Sequence, residues 1–116
     1  METDTLISDK VTGLLQEGTS FEGKLSFEGA VRIGGSFKGE IFSRDTLIID
    51  ETADVEANIE ASEVIVAGKV RGNIYATKTV RMKAPAKFKG TVTTVTLSID
   101  DGVIFEGASY MPKNDN

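Results

Sequence analysis

One short motif returns six times along the chain, too regularly for chance. It reads "SFEGKL" (Ser20 to Leu25), "SFKGEI" (Ser36 to Ile41), "DVEANI" (Asp54 to Ile59), "KVRGNI" (Lys69 to Ile74), "KFKGTV" (Lys87 to Val92) and "IFEGAS" (Ile104 to Ser109). The lead apolar residues are Phe21, Phe37, Val55, Val70, Phe88 and Phe105, spaced 16, 18, 15, 18 and 17. A second column keeps step with the first. It runs Val31-Arg32-Ile33, Leu47-Ile48-Ile49, Val64-Ile65-Val66, Val80-Arg81-Met82 and Leu97-Ser98-Ile99, spaced 16, 17, 16 and 17. A repeat of this kind decides the fold before any element is assigned singly, because each copy is one unit that cannot bury its apolar face alone.

Apolar residues alternate within each copy, as in Phe37, Gly39, Ile41 and then Leu47, Ile49. A side-chain period of two means strands. Short strands that return every 15 to 18 residues form coils, each strand lying parallel to its copy one coil away with its alternating face turned into a narrow tube. The expected fold is therefore all-β: a single-stranded right-handed parallel β-helix, or β-solenoid, of about six rungs with 15 to 18 residues per rung. Right-handedness follows the strong preference of strand, crossover, parallel strand connections. A left-handed hexapeptide helix wants a strict period of 18, which these spacings violate. The step from the second strand to the next lead residue is either four or six residues, so coil length varies at one corner, where Gly or Pro85 turns the chain. The domain layout is a tail over 1–17, flexible or a short amphipathic segment, a core over 18–109 and a short tail over 110–116.

Composition narrows function. The net charge is −5 and there is no Cys or His. No Lys/Arg cluster is present to displace counterions from phosphates, which argues against nucleic acid. Without His and Cys the commonest general base, the softer metal ligands and the best nucleophile are missing. No catalytic, cofactor or metal residue is expected, and no cofactor. Asp50-Glu51 and Asp100-Asp101 are adjacent acids in the longer corners and read as solvated turns. "GGSFKG" opens no helix and reads as a corner rather than a phosphate cradle. The outward residue after each lead position, Glu22, Lys38, Glu56, Arg71, Lys89 and Glu106, alternates in sign except between Arg71 and Lys89. That pattern predicts a ladder of cross-strand pairs. The Gly column, Gly23, Gly39, Gly72, Gly90 and Gly107 with Ala57 as its exception, predicts small inward residues that make room in a thin core.

The ends matter most, since a solenoid exposes open strand edges and a cross-section of its core. At the C-terminal end Phe105, with Leu97, Ile99 and Val103 beneath or beside it, is the candidate apolar contact; Phe21, Leu25 and Phe27 are its counterparts at the N-terminal end. If each end meets its own kind the chain grows into an unpolar filament, and if only one end is open it stops at a dimer. Phe42, Ile48, Ile65 and Tyr75 occupy outward positions and form a candidate lateral or partner surface. Ile7, Val11, Leu14 and Leu15 fall at i, i+4, i+7 and i+8, the spacing of a short amphipathic helix that could cover exposed apolar residues.

The run "GTSFEGKLSFEGAVRIGGSFKGEI", followed by "VIVAGKVRGNIYA", resembles the bactofilins, bacterial cytoskeletal proteins, over about Gly18 to Gly107. The resemblance implies a right-handed β-helical core, nucleotide-independent nonpolar filaments made by end-to-end stacking, and a cytoplasmic location, often at the membrane, where the filaments organise cell shape or recruit cell-wall enzymes. Its partners would be the chain itself and cell-wall enzymes or other membrane proteins. Family members often carry an N-terminal membrane-targeting stretch; its place here is the segment with Leu6, Ile7, Val11, Leu14 and Leu15. The first seventeen residues hold four acids and one Lys, which argues against direct membrane binding. Two other classes stay open. One is a non-polymerising adaptor that binds a partner on its lateral face; the other is a β-helix enzyme, whose known kinds use His that this chain lacks.

Overall fold

The computed structural model describes residues 3–7, 18 and 20–110. Among the described residues nine strands form one parallel sheet wound into a solenoid: β1 (Thr3–Ile7), β2 (Ser20–Phe27), β3 (Val31–Ile33), β4 (Ser36–Ser43), β5 (Thr46–Ile49), β6 (Asp54–Val66), β7 (Lys69–Met82), β8 (Lys87–Ile99) and β9 (Ile104–Tyr110). From β6 onward the two strands of a coil merge into one continuous element. Five coils are complete, from Ser20 to Ile99, and β9 is the first half of a sixth.

The two columns read from sequence are the register of the structure. Phe21, Phe37, Val55, Val70, Phe88 and Phe105 pair in one stack, and Val31, Leu47, Val64, Val80 and Leu97 in another. Inward positions between the ends are sealed: Leu47, Ile49, Val64, Val66, Val80 and Met82 have no exposed surface. Each such aliphatic side chain contributes about 1.5–3 kcal/mol by leaving water, and alternation puts one at every second residue. Backbone hydrogen bonding does not stop at the corners. The N–H groups of Asp50, Ala67, Lys83 and Asp100 donate to the carbonyls of Ile33, Ile49, Val66 and Met82 one coil below, at 2.8 to 2.9 Å.

The same bonds explain why coil length varies. In each longer corner an extra turn is closed by an N–H to carbonyl bond three residues back: Ala53 to Asp50, Ala86 to Lys83 and Val103 to Asp100. Inserting a turn at a corner lengthens the coil without moving the strands out of register. The first of these turns is braced by Asp50. Its carboxylate accepts from the Thr52 backbone N–H at 2.9 Å and pairs with Arg32 of the preceding coil at 2.7 Å. The Thr52 bond first, then Arg32, holds the Asp50 carboxyl below its ordinary value of 3.8. Asp100 repeats the device with Arg81 at 3.4 Å. Asp50 is thus a turn brace, and Asp100 ties its corner to the preceding coil through Arg81. A carboxyl with a lowered folded pKa adds stability that is complete above the ordinary value and is lost as pH falls through the lowered one. Asp50→Ala should therefore unfold more easily than the parent at pH 7, by on the order of 1 kcal/mol. In thermal melts that gap should narrow once the pH drops below 3.8 and the parent's own carboxylate protonates.

Three expectations are corrected. Within the segment expected as a tail, Thr3–Ile7 is a strand, pairing in parallel with Gly23–Phe27; Val11, Leu14 and Leu15, the remaining helix positions, lie outside the described residues. The charge ladder has the expected register, yet among the described residues only Glu56 and Arg71 close to an ion pair, at 3.4 Å. Exposed partners gain too little there to hold two long side chains in one geometry. The Gly column, finally, is a matter of backbone approach rather than core volume. Gly72 has φ +136°, and a Cβ there would sit 2.0 Å from the Ala57 carbonyl oxygen of the coil below.

Candidate assembly ends and lateral faces

The two ends of the lead column are built alike. Phe21 stacks on Phe37 with centroids 5.5 Å apart, and Phe105 on Phe88 at 5.3 Å, while the middle of the column is Val55 and Val70. The inner ring of each pair is buried and the outer ring only half-buried. Aromatic pairs at both ends present broad, flat apolar surface where the core is cut.

The C-terminal cut is stepped. β9 pairs with Lys87–Thr93 and stops at Tyr110, so the rest of β8, Thr94–Ile99, has no described strand on its far side. Exposure records the step: Met82 is fully buried, whereas Ile99, one coil on in the same column, is 43% exposed. Leu97 and Val103 are half-buried and pack against the core. Phe105, Leu97, Ile99 and Val103 therefore do gather at one end. Three further apolar residues were missed there: Val95, Ile104 and Tyr110, each half or more exposed. Ile104 had a readable signal, since its column is otherwise Ser20, Ser36, Asp54, Lys69 and Lys87, polar in every earlier coil. Val95 had none, because it falls in a stretch where the pairing of β7 and β8 shifts register, between Ala76 and Thr79.

At the N-terminal end the three expected residues separate. Leu25 and Phe27 are buried at 2% exposure, in the stretch that β1 pairs with, and only Phe21, outside that stretch, remains half-buried. The lateral residues also divide. Ile48 and Ile65 form one half-buried column between Arg32 and Arg81. Phe42 and Tyr75 belong to another, earlier in each coil, where they are 39% and 48% exposed. Leu6 and Ile7, of the segment where a targeting stretch was expected, lie in β1 opposite Ser26 and Phe27.

Among the described residues no group of three or more acids, Cys or His is placed to hold a metal ion, and no helix is long and apolar enough to cross a membrane.

Comparison with known proteins agrees with this architecture. Residues 13–110 match the bactofilin family, described as polymer-forming cytoskeletal. Two curated relatives are bactofilins of Myxococcus xanthus (strain DK1622). BacO is 32% identical over 103 residues, 89% of this chain and 79% of BacO; BacP is 32% identical over 85 residues, 73% of this chain but 35% of BacP. Two solved structures are similar. A bactofilin from Thermus thermophilus, reconstructed by cryo-EM as double helical filaments, superposes with a TM-score of 0.76 at 29% identity, over 81% of this chain and 93% of its own. The cytoskeletal bactofilin BacA, determined by solid-state NMR, superposes with a TM-score of 0.56 at 28% identity, over 96% and 98%. With the repeat, the parallel coils and the family match all spanning the same stretch, the chain belongs to the bactofilin family of polymer-forming cytoskeletal proteins.

Proposed function

We propose that this chain assembles end to end, without nucleotide, into nonpolar filaments that act as a scaffold. Bactofilins are structural proteins, not enzymes, so what needs explaining is cohesion rather than turnover. The observation that carries the reading is the C-terminal edge of the described coils, where a column that is fully buried at Met82 opens to 43% at Ile99 beside the half-buried Phe105. An apolar cross-section of this kind is most simply covered by a second copy of itself. A contact between like ends is two-fold, so the same surface serves both partners and the filament has no direction. Phe21 is the corresponding group at the other end. Within a cell, such a rod would organise shape or gather cell-wall enzymes on the cytoplasmic face of the membrane.

The test is sedimentation and negative-stain microscopy of purified protein in a nucleotide-free buffer containing a chelator. The expected result is a pelletable fraction that grows above a threshold concentration, and unbranched filaments with indistinguishable ends. A uniform monomer at high concentration overturns the reading and favours the adaptor.

A further inference from the structure

The column that holds Phe42 and Tyr75 contains a regularity unrelated to the ends. In register order it runs Ser26, Phe42, Glu60, Tyr75, Thr93 and Tyr110. Aromatic residues thus stand on every second coil, with 39%, 48% and 59% of their surface exposed. Phe42 and Tyr75 stand in one wall of a groove that runs along the solenoid axis, and Tyr110 continues their column one coil beyond its lining. Its floor includes the buried Ile41, Ile59 and Ile74, and its opposite wall includes Asn58, Asn73 and Thr91. Those three side chains are linked to one another: Asn73 donates to the Asn58 carbonyl at 3.3 Å, and Thr91 donates to Asn73. The Asn58 amide N–H group has no partner among the described residues. Two acids, Glu40 and Glu60, and one base, Lys24, complete the lining.

We propose that this groove is a docking site for a proline-rich peptide in the polyproline II conformation, with a basic residue beside its prolines. Adjacent strands are about 4.8 Å apart, so aromatic rings on alternate coils repeat every ~9.6 Å. A polyproline II helix rises ~3.1 Å per residue with three residues per turn, so one face returns every ~9.3 Å. The mismatch is about 0.3 Å per turn, small enough for three successive prolines to meet Phe42, Tyr75 and Tyr110. Other backbones do not fit this ladder. An extended strand shows one face every ~6.6 Å, and an α-helix places neighbours ~5.4 Å apart, which would set side chains against Glu60 and Thr93. The chemistry agrees with the spacing. Aromatic faces take proline rings, and amide donors on the facing wall take the peptide carbonyls that a polyproline II helix leaves without internal bonds. Glu40 and Glu60 outnumber Lys24, which favours a basic residue in the peptide.

The chain supplies its own probe. Tyr75 and Tyr110 are its only tyrosines and it has no Trp, so its intrinsic fluorescence comes from this column, and titration below the assembly threshold keeps the C-terminal end, where Tyr110 also lies, out of the signal. The titrant is a synthetic peptide with proline at every third position over three turns and arginine at each end. The control has the same composition with the prolines at every fourth position. The expected result is a saturable fluorescence change with the first peptide and at least tenfold weaker binding of the second. Tyr75→Ser should lose about tenfold or more in affinity, whereas Tyr75→Phe, which keeps the ring, should stay within about threefold. Tyr75 is 48% exposed, and an unchanged unfolding midpoint will show that the serine variant folds. Equal binding of the two peptides, or unaltered binding by Tyr75→Ser, overturns the proposal. It also fails if neither peptide binds and Tyr75→Ser instead separates filaments that pair side by side, since the column would then be a contact between copies of the chain.

Discussion

Phe105→Arg is expected to abolish filaments while leaving the coil folded. Phe105 lies in the last described strand, with the ring of Phe88 on one side and no described strand on the other. An arginine there can carry its guanidinium outward to solvent while its stem still covers Phe88, so the fold loses little. The junction loses much more. A contact between like ends holds two copies of the residue, so each junction forfeits two rings and gains two charges facing each other across apolar surface. At about 2 to 3 kcal/mol per ring, the junction constant should fall by on the order of a thousandfold to ten-thousandfold. Because N-terminal ends would still pair through Phe21, the product should be a dimer, and Phe21→Arg added to it should give a monomer. Sedimentation velocity separates these species, and circular dichroism checks the fold. Filaments of normal length from Phe105→Arg would show that the C-terminal end is not the contact.

How much of this could be read from sequence follows from what periodicity encodes. Lead residues 15 to 18 apart could pair in only one way once each strand was placed over its copy, so the core columns and the position of Phe105 were legible. The β1 pairing was not. Thr3 faces Gly23 and Ile7 faces Phe27, a step of twenty residues, longer than any interval within the repeat, and β1 has no glycine to mark it. With β1 unseen, Leu25 and Phe27 looked like an open end. The outward columns were legible as positions but not as contacts, because exposed charges such as Glu22 and Lys38 can be in register without meeting. Tyr110 stands five residues after Phe105, as Phe42 and Tyr75 stand five after Phe37 and Val70, so its place in their column was legible; the register shifts between Ala61 and Glu63 and between Ala76 and Thr79 come later in each coil. For the glycines, sequence shows that a side chain is missing and cannot show where it would have pointed.

That direction supports the largest expected loss of stability, from Gly90→Ala. Gly90 has φ +142°, and a Cβ on it would lie 1.8 Å from the carbonyl oxygen of Gly72 and 2.8 Å from its carbon. Both are backbone atoms in the middle of the β7–β8 pairing, with Val70 against Phe88 and Ile74 against Val92 on either side. They cannot withdraw without pulling apart the hydrogen bonds and core columns that flank them. The cost is strain in a backbone region that side chains avoid, together with local loss of pairing, and should exceed about 3 kcal/mol. For a domain of this size that lowers the melting temperature by on the order of 10 to 20 °C. The measurement belongs in the background that carries both Phe21→Arg and Phe105→Arg, the expected monomer, where stability is not shifted by association. Gly18→Ala separates the two causes. Gly18 also has a positive φ, +89°, but nothing lies within 4 Å of the missing Cβ, so it should cost only about 1 kcal/mol. Ala57 stands in the Gly column with its side chain buried, so the column as such does not bar a methyl group. If Gly90→Ala proves no worse than Gly18→Ala, the coils can yield by more than an ångström, and the column reflects dihedral preference alone.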